Sequence, residues 1–238
     1  MKSLSGLLRN IVVLLVSALS FSCANIAQNY SLLTNHFSIL KNAKPISDIK
    51  KNENFNSDLK KRFELIQEIK SFAVKNLGLK KTSSYSTYLD LGKEAVVWNV
   101  LSVKKNSLTL DNWCYFIAGC FSYKGFYQKE NAESYSKSLV KEKNREVAII
   151  PIVAYSTLGW SDFFGGDPIL NTFIWNDEVS LVRLIIHEMS HQKVFVNNDT
   201  VFNESLATFI EEKGVKAWYK NSNSDALQKY LKKKKKTR

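Results

Sequence analysis

The chain has 238 residues, 45% of them hydrophobic, with 34 basic and 22 acidic side chains and a net charge of +12. Once an N-terminal segment is set aside, that length and apolar content suit one domain with a sizeable core. They argue against a nucleic-acid binder, because the aromatic residues sit in apolar stretches rather than between basic ones and no known binding module is present.

The start of the chain reads as a targeting segment. Lys2 and Arg9 precede an apolar run from Ile11 to Phe21, and the small residues Ser22 and Cys23 follow. The run is short of the ~20 residues that cross a bilayer comfortably. An uncleaved anchor fits only if the neutral polar residues up to Asn29 are tolerated. Ser20-Phe21-Ser22-Cys23 resembles a bacterial lipoprotein cleavage box. Residues 1–22 are therefore expected to be a lipoprotein-type signal peptide, with Cys23 lipidated and the protein held at a membrane of the bacterial cell envelope. The plain alternative for Cys23 is a buried thiol near a cleavage site.

From Asn25 to Asn42, Tyr30, Leu33, Phe37 and Leu40 recur at helical spacing, and Lys44-Pro45 breaks the pattern. His36 in this stretch reads as a surface or packed histidine. Asn56 to Leu77 is a stronger helix, with Leu59, Phe63, Ile66, Ile69, Phe72 and Ala73 in a stripe and Gly78 as its stop. Beyond Gly78 the period changes. Tyr85 to Leu89, Ala95 to Val103 and Trp113 to Tyr127 are rich in aromatic and β-branched residues. Within the last, Cys114 and Cys120 form a disulfide only if the chain bends at Ala118-Gly119, and two free thiols fit as well. Gln128 to Arg145 predicts a polar helix. Val147 to Tyr155 is an apolar strand in which Pro151 points to a sheet edge or a bulge. A substrate peptide can add itself along such an edge.

The chemistry is concentrated in His187-Glu188-Met189-Ser190-His191. Glu178 to Val196 holds no Pro or Gly, and Leu181, Val182, Ile185 and Met189 recur at helical spacing. On a helix, two histidines four residues apart share a face and can share one tetrahedral metal ion. Glu188, about 100° round from His187, can reach a water on that ion without being a ligand. His-Glu-x-x-His alone is a weak signal. Downstream stands Asn203-Glu204-Ser205-Leu206-Ala207, the pattern of zinc peptidases whose third ligand is a glutamate. Asn197-Asn198-Asp199 predicts a turn between two helices, the second opening near Thr200 and running towards Lys220. His191 and Glu204 then lie roughly level in an antiparallel pair, each about 6–8 Å from the hairpin tip. Asp199 is a poorer third ligand, and Val194 and Asn197 stand where a metzincin needs Gly and His. The run Lys232 to Lys236 reads as part of a solvated, disordered basic tail over residues 226–238.

The order of elements, helices and then strands and then a helical hairpin, predicts an α+β domain over residues 23–225. The chain resembles a bacterial family of predicted aminopeptidases, exported zincin-type lipoproteins. The resemblance rests on Trp113-Cys114, Ala118-Gly119-Cys120, Tyr123-Lys124-Gly125, Ala154 through Trp160, Asp167-Pro168-Ile169-Leu170, His187-Glu188 through His191, and Asn203-Glu204-Ser205. It implies a zincin-like fold with a helical N-terminal part, a mixed or antiparallel sheet, and a metal helix paired with a ligand-bearing one. It also implies one zinc ion held by His187, His191 and Glu204, with Glu188 catalytic and peptides as substrates. Tyr155, at the end of the expected edge strand, is the candidate oxyanion donor, although a core aromatic fits that position too. Asn203, Thr208 and Glu211 are placed to orient a ligand imidazole. Asp162, Asp167 and Glu211 are candidates for holding a substrate's free amine. The rival reading is a non-catalytic envelope lipoprotein with a structural zinc site.

Overall fold

The computed structural model describes residues 34–51, 56–115, 119–154, 157, 165–197, 199–220 and 225–236. The expected signal peptide, Cys23, Tyr155 and Asp162 lie outside the described residues. The chain divides into two compact units, Met1–Lys41 and Asn42–Arg238. Of the first, residues 34–41 are described and helical, with the His36 and Phe37 rings 6.2 Å apart.

In the second unit the order is β1 (Lys44–Pro45), α1 (Ile46–Ile49), α2 (Ser57–Leu77), β2 (Thr87–Leu89), β3 (Val97–Lys104), β4 (Trp113–Tyr115), β5 (Gly119–Phe121) and β6 (Lys124–Phe126). It continues with α3 (Lys129–Lys143), β7 (Arg145–Ile152), β8 (Ile169–Leu170), α4 (Asn171–Ile174), α5 (Glu178–Lys193), α6 (Thr200–Trp218) and α7 (Asp225–Lys236). This is a mixture of helices and small sheets, an α+β arrangement.

The long helix α2 starts where Asn56 accepts hydrogen bonds from the backbone N of Asp58 (2.8 Å) and Leu59 (3.3 Å), and it stops at left-handed Gly78. Phe63, Ile66, Ile69 and Ala73 are wholly buried along its stripe. β3 is the centre of an antiparallel sheet ordered β6-β3-β7. On one face of β3, Trp98, Val100 and Ser102 are buried, and Ala132 and Leu139 of α3 join the same cluster. β7 lies at the edge of that sheet, with Pro151 opposite Trp98, so the missing donor of Pro151 falls where an edge tolerates it. β2 pairs antiparallel with β1 and parallel with β8. β4 and β5 form a hairpin in which Cys114 faces Cys120, and the two are joined by a disulfide. The open choice between bridge and thiols thus falls to the bridge: the chain reverses between the cysteines and brings their α-carbons to 3.9 Å.

The basic stretch expected as a solvated tail is different in kind. It is helical to Lys236, and Tyr230 is buried. Leu227, Tyr230 and Leu231 recur at helical spacing ahead of the lysine run, which gives the segment an apolar side to dock.

Candidate metal centre

The site is built on α5, which begins where the Asp177 carboxylate accepts from the backbone N (3.0 Å) and hydroxyl (2.7 Å) of Ser180. Val179, Leu181, Val182, Ile185, Ile186 and Met189 are all buried, and the helix packs between α2 and α6 and against α7. Truncating a fully buried Leu or Ile of this kind costs ~2–5 kcal/mol, so the position of the histidines is fixed by core packing. The helix ends as Val194 turns extended. The hairpin is then pinned by Asn203, whose Oδ1 accepts from Val196 N (2.8 Å) and whose Nδ2 donates to Val196 O (2.7 Å). Asp199 caps α6 by accepting from Phe202 N at 2.9 Å.

This register brings Glu204 level with both histidines. Its Oε2 lies 3.2 Å from His187 Nε2, and its Oε1 lies 3.6 Å from His191 Nε2. A tetrahedron with bonds of ~2.1 Å has edges of about 3.4 Å, so the two separations straddle what one ion requires. The three donor atoms all lie within 4.8 Å of one another. Two imidazole nitrogens and a carboxylate make a donor set suited to a divalent transition-metal ion. The Glu204 side chain is 57% exposed, so the centre opens to solvent on that side.

Behind His187, its Nδ1 lies 3.2 Å from Glu211 Oε2, and Arg183 Nε donates to Glu211 Oε1 at 2.5 Å. A carboxylate on the far ring nitrogen is the arrangement that fixes a ligand histidine's orientation and tautomer. The local field favours positive charge at this point. Burial opposes a charged His187, but its bonds to Glu204 and Glu211 outweigh that and raise its pKa to about 10. Burial instead lowers the pKa of His191. Glu188 is buried, and desolvation, opposed by His187 and aided by Glu204 and Asp167, lifts its pKa to about 7.

A second polar group lies on the C-terminal part of α5. The Asp167 carboxylate accepts from the Thr157 hydroxyl (2.6 Å), Thr157 N (3.0 Å) and Gln192 Nε2 (3.2 Å). Ser84 Oγ accepts from Gln192 Nε2 and Asp167 N, each at 3.0 Å. Two of the three carboxylates considered as amine anchors are thus engaged internally, Asp167 here and Glu211 between Arg183 and His187. Their burial is the reason, since a buried carboxylate is satisfied by the chain itself. Of the three residues expected to orient an imidazole, Glu211 does so, Asn203 braces the hairpin, and Thr208 lines an open groove with Glu204, Ser205, Phe209 and Glu212. Arg183 escaped the sequence reading. It lies one turn before His187 on the same face, and that spacing was its only signal.

A family model described as "Putative aminopeptidase" matches residues 29–238. The chain belongs to that family. Neither the curated proteins nor the solved structures include a match to it. The description of the family suggests a peptidase and implies peptides as substrates. In the structure, His187, His191 and Glu204 form a group that could hold a metal ion.

Proposed function

We propose that the protein is a zinc-dependent peptidase with a zincin-like fold, acting as an aminopeptidase in the bacterial cell envelope, where Cys23 anchors it. The observation that carries the catalytic part is the convergence of His187, His191 and Glu204 beside the buried carboxylate of Glu188. One zinc ion per chain, held by the three ligands, would supply a Lewis acid that polarises a peptide carbonyl and makes a water acidic enough to attack near neutral pH. Glu188 takes the proton from the attacking water and delivers it to the leaving amine. Glu211 holds His187 by its Nδ1, which leaves Nε2 turned towards Glu204 and able to serve as a ligand. Tyr155 remains the proposed oxyanion donor. It stands two residues before Thr157, which Asp167 grips by both its backbone N and its hydroxyl.

The exposure of Glu204 favours this reading over a structural brace. A structural zinc site closes its fourth position with a protein ligand and needs no Glu188. Here the centre faces solvent on the Glu204 side.

The test is metal analysis of the purified protein, followed by peptides with free and blocked N-termini. Zinc at one per chain and cleavage of free N-termini alone are expected. Glu188→Gln should keep the zinc and lose about 100- to 10,000-fold in turnover. Unchanged turnover in that variant removes Glu188 from the reaction, and zinc without cleavage of any peptide makes the site a brace.

A further inference from the structure

We infer that Tyr230, in the C-terminal helix α7, is a positioning residue for the metal centre, acting through Arg183 and Glu211. The inference rests on His187 being a metal ligand. The contacts run in sequence across three helices. The Arg183 guanidinium carbon lies 5.3 Å from the centre of the Tyr230 ring. Arg183 Nε donates to Glu211 Oε1 at 2.5 Å, and Glu211 Oε2 lies 3.2 Å from His187 Nδ1.

Burial is uneven along this chain of contacts, and the unevenness locates the weak link. Tyr230 is 8% exposed and the Glu211 side chain 5%. The Arg183 side chain is 43% exposed. A long side chain half in water has many rotamers, and few of them present Nε to Glu211. The face of the Tyr230 ring attracts the guanidinium and covers one of its sides. Arg183 is thereby held along α5, Glu211 keeps both oxygens engaged, and the second of them aims at the imidazole. Without the ring, Arg183 is free to turn to solvent, and Glu211 loses the partner that sets its rotamer. The C-terminal helix would therefore be part of the metal centre although it supplies no ligand.

The experiment uses the full chain and four variants: Tyr230→Leu, Tyr230→Phe, Arg183→Gln and the double variant Arg183→Gln with Tyr230→Leu. Leucine keeps an apolar side chain against α5 and removes the ring face. Zinc affinity is measured by competition with a chelator, and the unfolding of the metal-free protein is measured in parallel. Tyr230→Leu should weaken zinc binding roughly 3- to 10-fold, Arg183→Gln about 10- to 100-fold, and Tyr230→Phe should stay near the parent. In the Arg183→Gln background the leucine should add nothing further. Parent-like zinc affinity in Tyr230→Leu overturns the inference and leaves the metal site standing. So does an equal loss with and without Arg183, because the effect would then be general destabilisation. A parent chain that binds no zinc overturns both.

Discussion

Asp167, which sequence alone offers as a substrate contact, lies inside the fold. It is 3% exposed, and its two oxygens accept three hydrogen bonds from Thr157 and Gln192. Asp167→Asn keeps the shape. One amide oxygen can still accept from Thr157 N and Gln192 Nε2, and the new NH2 can donate to the Thr157 hydroxyl oxygen. The variant then loses only the strengthening that a charged acceptor gives, about 1–2 kcal/mol over the set. Asp167→Ala removes both acceptor oxygens and with them these three hydrogen bonds. The Thr157 N–H then has no carboxylate to meet, and Gln192 Nε2 keeps only Ser84 Oγ at 3.0 Å. At ~1–3 kcal/mol for each buried donor left unmade, that variant should lose about 3–5 kcal/mol. The assay is denaturant unfolding of the metal-free proteins, with KM for free-N-terminus peptides measured alongside. The expected order is parent, Asn, Ala in stability, with zinc affinity unchanged in Asp167→Asn. If both variants unfold like the parent while KM for free amines rises steeply, Asp167 is a substrate anchor and the reasoning is wrong.

Gly166 has φ of 74°, and a Cβ placed there would lie 2.2 Å from Ser84 N, a backbone atom that cannot swing aside. Gly166→Ala should cost ~2–4 kcal/mol, from the left-handed backbone and the overpacking together, visible as a large fall in the unfolding midpoint. Asp177→Ala removes the cap of α5 and should cost about 1 kcal/mol at neutral pH. The hydrogen bond from the Ser180 hydroxyl chiefly, against some desolvation, holds the Asp177 pKa below its ordinary value. A depressed folded-state pKa means the contribution is complete above the unfolded value and is lost as pH falls through the folded one. The gap between parent and variant should therefore narrow in acid. A gap that widens in acid would show that the carboxylate is not the cap.

What the sequence made legible follows from which signals are local. Asn56 and Gly78 bound α2 as expected, because a cap and a left-handed stop act within a few residues. The apolar period of α5 and the turn before Thr200 gave the hairpin, and its register then brought Glu204 to the histidines. Pro151 announced the edge position of β7 because a missing N–H is tolerated in few places. Less local features were out of reach. Ser84 meets Asp167 and Gln192 across more than 20 residues in each case, and no periodicity encodes such a meeting. The tail misled because five consecutive lysines dominate its composition, while the burial of Tyr230 ahead of them is what docks the helix.

The proposal of Glu204 rather than Glu211 as third ligand is supported by environment as well as by the downstream Asn-Glu motif and by the grouping of Glu204 with both histidines. The two stand seven residues apart on α6, so roughly 10.5 Å of rise separates them on nearly the same face. Each lies 3.2 Å from His187, one at Nε2 and the other at Nδ1, and the ring bridges the interval. Glu211 is almost sealed from water and already joined to Arg183, so moving its carboxylate towards a cation would strip a buried charged partner of its bond. Among the described residues Glu204 is paired with no arginine, and it is mostly exposed and faces the second imidazole as well. A cation held beside Glu204 would be open to solvent on that side, whereas one beside Glu211 would be almost sealed from it. Identical side chains on one helix thus meet different surroundings, and the proposed division into ligand and orienter follows from what packs behind each of them. Exchanging the roles would require Arg183 to move first.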